Sequence, residues 1–181
     1  MQGVIKEETL QKAFVGSDFT NVKATVPNSQ TVILSGTIVP QAKQKNSFNG
    51  IKTSTFVTCT NSSLNVTLSP KSMKALYSSM NQDDRSYLDL FMAPVFTGEK
   101  MTVSEYYSLI ASVYGNELAK EMEKGSIKVS MEVPSGKKIK NARLDVGNSS
   151  SAKQTSSKVT FNIPLLEFLT LDAEKSFTIS W

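Results

Sequence analysis

Histidine is absent from this chain, and cysteine occurs once, at Cys59. Those two facts remove Ser-His-Asp and Cys-His nucleophilic catalysis, histidine-ligated zinc and haem held by a proximal histidine. One thiol also rules out an intrachain disulfide and a thiolate-rich zinc or iron–sulfur centre within one chain. Arginine is nearly missing too: Arg85 and Arg143 are the only two among 20 basic residues, the others being lysine. Base readers lean on arginine for bidentate guanine contacts, so a sequence-specific nucleic-acid surface is not expected. No apolar run approaches the roughly 18 residues that would span a bilayer. Glycine-rich dinucleotide turns, a Walker lysine loop and an EF-hand loop are all missing, so no cofactor is expected.

Serine and threonine are abundant, 41 of 181 residues. They gather in segments such as 53–60 and 149–157, which suits half-exposed sheet and polar loops. The net charge of +4 is dispersed, with +3 in residues 1–69, −2 in 70–125 and +3 in 126–181. A lysine-rich solvated surface accounts for it. A basic patch at Lys137, Lys138, Lys140 and Arg143 is a weaker candidate for anionic polymers. Cys59, inside the alternating run Phe56-Val57-Thr58-Cys59-Thr60, reads as a small buried hydrophobe.

Hydropathy patterning divides a single domain, 1–181, into a strand-rich part (1–68), a helical block (69–125) and a second strand-rich part (126–181). Residues 5–14 predict a short helix with Ile5, Leu10, Ala13 and Phe14 on one face. Strands are predicted over 19–26, stopping at Pro27-Asn28, over 31–39, 51–60 and 64–68, with 41–50 a loop and Asn61-Ser62-Ser63 a tight turn. The helical block opens at Ser69-Pro70, an N-cap followed by proline, with Met73, Leu76, Tyr77 and Met80 as its apolar stripe. A second helix from about Asp83 places Tyr87, Leu88, Phe91 and Met92 inward and stops at Pro94. Thr102-Val103-Ser104-Glu105 forms a capping box for a third, whose stripe is Val103, Tyr106, Tyr107, Ile110 and Tyr114. Gly115 kinks or interrupts it, and Gly125 is a C-terminal cap. Strands over 127–133, 139–146, 158–163 and 176–181 complete the chain, with a turn at 134–137, a loop over 147–157 and a short apolar helix or turn at 164–171. The fold class is therefore α+β: a mostly antiparallel sheet with the central helical cluster packed on one face.

All five tyrosines and five of the seven methionines fall between Met73 and Met122. A helix core with phenols reaching the rim for hydrogen bonds explains them. The sharper reading is a groove lined by Tyr77, Tyr87, Tyr106, Tyr107, Tyr114 and Met92 for a protein partner or small apolar ligand. Carboxylates are scattered. Asp89 suits an i,i+4 pair with Arg85, Glu105 its capping box, and Glu117, Glu121 and Glu123 a polar helix face. Glu167, set in the apolar run 163–169, is expected on an exposed face beside Thr170. Ser135-Gly136-Lys137-Lys138 matches a Ser-x-x-Lys spacing but lies in a turn without companion motifs.

The segment Ala93-Pro94-Val95-Phe96-Thr97-Gly98-Glu99, with Ser104-Glu105-Tyr106-Tyr107 and Val113-Tyr114-Gly115, resembles bacterial secreted or lipid-anchored domains of uncharacterised function. That resemblance implies an extracytoplasmic location, in the periplasm or at the cell surface, and an N-terminal lipid anchor in the full-length protein, while the near-absence of cysteine by itself suits a cytosol equally well. The expected function is a non-enzymatic cell-envelope binding or structural module, with no metal. The alternative is a histidine-independent enzyme using tyrosine, lysine and carboxylate groups, which would need two ionisable groups converging in one cleft.

Overall fold

The computed structural model describes residues 7–12, 17–28, 31–40, 43, 47–48, 51–52, 55–80, 82–145 and 151–181. Every strand pairing among them is antiparallel, and helices separate two strand-rich flanks, an α+β fold. No described helix is long and apolar enough to cross a membrane.

The first flank contains α1 (Glu7–Lys12) and a two-stranded ribbon of β1 (Phe19–Asn28) and β2 (Thr31–Ile38). The apolar face expected over 5–14 lies largely outside the described residues. β1 runs through Pro27 instead of ending before it. In a two-stranded ribbon every strand is an edge, where proline's missing amide is tolerated. Part of the expected loop 41–50 is also paired: β3 (Ser47–Phe48) meets β4 (Ile51–Lys52), with Phe48 opposite Ile51. The Asn49-Gly50 dipeptide between them is a hairpin signal that the loop reading passed over. The strand expected over 51–60 is split into β4 and β5 (Val57–Cys59). β5 turns into β6 (Ser63–Leu68) as predicted, the Thr60 amide donating to the Ser63 carbonyl at 2.8 Å.

The second flank supplies β7 (Ser126–Glu132), β8 (Asn141–Asp145), β9 (Ser151–Gln154), β10 (Lys158–Pro164) and β11 (Lys175–Ser180). Together with β5 and β6 of the first flank they build two sheets, β7-β10-β9 and β5-β6-β11-β8. β9 lies within the expected loop 147–157. Its Ser/Ala/Lys/Gln sequence has no strand preference of its own, and pairing with β10 fixes it. The inward residues of β10, Val159, Phe161 and Ile163, are at most 1% exposed, and Phe177 and Ile179 of β11 are fully buried. Phe161 and Phe177 belong to different sheets and meet with ring centroids 5.3 Å apart. The two sheets therefore share one core, which Met131, Val133, Leu64 and Val66 extend.

A second core lies among the helices α2 (Pro70–Ser79), α3 (Gln82–Asp89), α4 (Pro94–Thr97), α5 (Val103–Tyr114) and α6 (Asn116–Lys124). Met73, Val95, Tyr106, Ile110, Ala119 and Met122 are its centre. α7 (Leu165–Leu169), between β10 and β11 in sequence, joins the two cores. Its Leu166 is buried among the helices, and Phe168 packs against both cores. Pro94 begins α4 at its first turn instead of only stopping α3, the helical position where a proline costs no hydrogen bond. Gly115 separates α5 from α6 with φ 91° and ψ 159°. Gly125 does follow α6, but with an extended φ of −63°. A Cβ there would stand 2.8 Å from Leu165 Cδ2, so close approach of α7 explains the glycine better than left-handed capping.

Candidate functional site

α3 ends at Asp89, and the chain turns over residues 90–92. The Phe91 amide donates to the Leu88 carbonyl at 3.1 Å and the Met92 amide to that of Asp89 at 3.0 Å. Met92 takes a positive φ of 46°, a conformation uncommon for a non-glycine residue. Three tyrosine hydroxyls hold this turn at three successive residues. Tyr77 donates to the Asp89 carboxylate, Tyr114 to the Leu90 carbonyl, and Tyr106 to the Phe91 carbonyl at 2.7 Å. Tyr106 and Tyr114 are eight residues apart on α5, just over two helical turns, so both lie on the face turned to the 90–92 segment. Tyr106 is fully buried, and burial pushes its phenol up to about 12. The hydrogen bond to Asp89 is the main cause of the raised Tyr77 pKa, and that ring stacks on Phe96 at 5.8 Å.

Among the residues proposed for a groove, then, Tyr77, Tyr106 and Tyr114 converge on one turn, and Met92 belongs to that turn. Tyr107 is half-buried against the helical core. Tyr87 falls in α3, but its side chain lies outside the described residues. Asp89 is taken by the Tyr77 hydroxyl and not by Arg85, whose Nε is buried without a hydrogen-bond partner. Several positions expected inward are not. Phe91 is 38% exposed, Val103 40% and Tyr114 40%, joined by Leu90 at 57% and Val113 at 51%. With α3 stopping at Asp89, Leu90 and Phe91 lose the helical phase that would have turned them to the core. Leu90 and Phe91 are thus exposed in the tyrosine-held turn, with the exposed Tyr114 bonded to it and exposed Val113 next to Tyr114 in sequence.

A cavity of about 190 Å³ opens at the other end of α5. There Thr102 and Glu105 make the predicted capping box. The Glu105 carboxylate accepts from the Thr102 amide at 2.7 Å and its hydroxyl at 2.8 Å, and the Glu105 amide donates back at 3.2 Å. These bonds, the backbone one first, hold the Glu105 carboxyl below its ordinary value. Across the cavity are Glu167 of α7, Asp172 and Lys175 of β11. Glu167 is not on the exposed face expected for it: its side chain is 17% exposed, as is that of Lys175. Leu166 and Thr170 are buried, and Leu165, Phe168 and Leu169 pack against the helical core, so the five-residue α7 has no solvated face to offer a carboxylate. Lys175 opens the last strand, and sequence reasoning had no signal for it beyond its place immediately ahead of the alternating run 176–181.

Elsewhere, Cys59 is buried and its thiol pKa is raised by burial. Lys137, Lys138, Lys140 and Arg143 are exposed. Comparison with protein-family models, with curated proteins and with solved structures gives no match.

Proposed function

We propose that the chain is a non-enzymatic binding module of the cell envelope that engages a protein partner through the tyrosine-rich helical block. One observation carries this reading: an exposed apolar turn, Leu90–Phe91, whose carbonyls are fixed by hydroxyls from Tyr114 and Tyr106. Solvent-exposed apolar residues grouped on one surface favour association. A loop already held in one conformation loses little entropy when a partner docks. The exposures of Leu90 and Val113 exceed one half, too high for the lining of an enclosed pocket, which favours a protein over a small apolar ligand. The envelope location rests on the resemblance of the 93–115 segment. The rival reading, a histidine-independent enzyme, has one observation in its favour: Glu167 and Lys175 face the same cavity.

Photo-crosslinking in the native host tests the partner surface. A benzophenone amino acid at Leu90 is expected to give a discrete crosslinked species, and one at exposed Lys120 on α6 is not. Tyr106→Phe, which frees the Phe91 carbonyl, is expected to reduce the crosslink at position 90 while the protein stays folded. Equal yields from positions 90 and 120, or none from either, would overturn the proposal.

A further inference from the structure

A strand at the rim of a sheet offers unpaired amides and carbonyls to any other extended chain, and proteins blunt such rims with charge, proline or a covering element. Among the described residues, every edge strand of four residues or more is blunted in this way except one. β7 carries Lys128 and Glu132, β8 carries Arg143 and Asp145, and β9 carries Lys153. β1 carries Lys23 and Pro27, α1 lies against it, and its Val26 amide donates to the Glu7 carboxylate at 2.8 Å. β2, Thr31-Val32-Ile33-Leu34-Ser35-Gly36-Thr37-Ile38, has neither a charge nor a proline. Residues 31–37 are all exposed, and no described strand pairs with the outer edge of β2. Val32, Ile33 and Leu34 stand in succession, 45%, 51% and 44% exposed. Apolar side chains therefore project from both faces of the ribbon at the same place.

We propose that β2 is a self-association edge: two copies of this chain pair antiparallel through it, Ile33 against Ile33, and join their ribbons into one continuous sheet. A two-fold axis normal to a sheet relates antiparallel neighbours without turning either strand over, so one residue must meet its own copy. Centring on Ile33 sets Val32 of each copy opposite Leu34 of the other, on the face away from the Ile33 pair. Every side chain of the exposed triplet then gains an apolar cross-strand neighbour. Centring on Leu34 would instead set Ile33 against Ser35 and Val32 against Gly36. The edge has no charge with which to select an unlike strand, and pairing with itself places no like charges opposite one another. One pair of strands this short buries less than the roughly 1,200 Å² of a stable interface, so the dimer is weak, with a Kd on the order of 0.1 mM. The inference does not rest on the partner surface at Leu90 and Phe91, which belong to another segment.

Sedimentation velocity of the full chain, from about 10 μM to about 1 mM, tests it and is expected to show a monomer–dimer equilibrium. Ile33→Lys, at an exposed position that places no burden on folding, sets two ammonium groups opposite each other and is expected to weaken association about tenfold or more. Ile33→Thr, uncharged and strand-forming, is expected to weaken it less. Single cysteines locate the register, the native thiol of Cys59 being buried. Ile33→Cys is expected to give a disulfide-linked dimer on mild oxidation, since directly opposed residues lie within disulfide range. Thr37→Cys is not, because its two copies would stand roughly 27 Å apart along the strands. A chain that stays monomeric throughout, a dimer indifferent to Ile33→Lys, or equal crosslinking at 33 and 37 would overturn the assignment. Flotation with lipid vesicles by the parent and not by Ile33→Lys would also overturn it, by giving the ribbon to a membrane.

Discussion

Side chains among the described residues reach backbone groups in two ways, locally within a turn or cap, as Glu105 does, and across long sequence separations, as Tyr106 and Tyr114 do. Glu105 is the clearest case, because its two bonds to Thr102 need a negative charge to be strong. Its folded pKa lies below the ordinary 4.5. The resulting stability is fully present above the unfolded value and is lost as pH falls through the folded one. Glu105→Gln keeps the reach of the capping residue but removes the titration. Urea unfolding at several pH values is therefore expected to show the variant weaker than the parent near neutrality. The gap should close as pH drops below 4.5. A gap that stays constant across that window would mean the charge contributes nothing. Tyrosine behaves similarly at this scale: its placement on the helical stripe was legible from spacing, whereas its acceptors at residues 89–91 were not. Spacing identifies a face, while a hydroxyl's partner depends on where another segment turns.

At the scale of elements, two glycines bracket α6 for unlike reasons, and alanine substitution separates them. Gly115 has φ 91° and ψ 159°, and an added Cβ would find nothing within 4 Å. Gly115→Ala thus costs about 1–3 kcal/mol through backbone conformation alone. Gly125 has an unexceptional backbone, but its added methyl would meet Leu165 Cδ2 at 2.8 Å and the Met122 carbonyl at 3.1 Å. Gly125→Ala is expected to cost about 1–3 kcal/mol by overpacking. Trimming Leu165 to alanine in the same chain should recover part of that loss, while the same trimming leaves Gly115→Ala unrelieved. Thermal denaturation of the four variants checks this. Local rules served well where the whole cause lay within a few residues, as for the Ser69 and Thr102 caps and the Thr60–Ser63 turn. They failed at β9, whose pairing comes from β10, and at Glu167, half-buried because its helix packs against the helical core on most of its surface.

For the whole molecule, the alternation of strands was readable but their division into two facing sheets was not. The same period-two pattern serves a strand covered by helices and one covered by another sheet. The contact that decides the matter is Phe161 against Phe177, both fully buried. Phe177→Ala is expected to cost about 3–5 kcal/mol, a large share of the roughly 5–15 kcal/mol that holds a typical domain together. Chemical denaturation followed by fluorescence and by circular dichroism should show that loss in both signals, because α7 links the two cores.

β11 lies between β6 and β8, and its Thr178 hydroxyl donates to Asn65 across 113 residues of sequence. A middle strand of the four-stranded sheet is therefore the last of the four to be synthesised. Until it leaves the ribosome, β6 and β8 have no bridge between them, and β5 and β6 wait with an open margin. Assembly of this sheet is thus paced by a long loop closure, and the hairpin made first gains its neighbours only at the end.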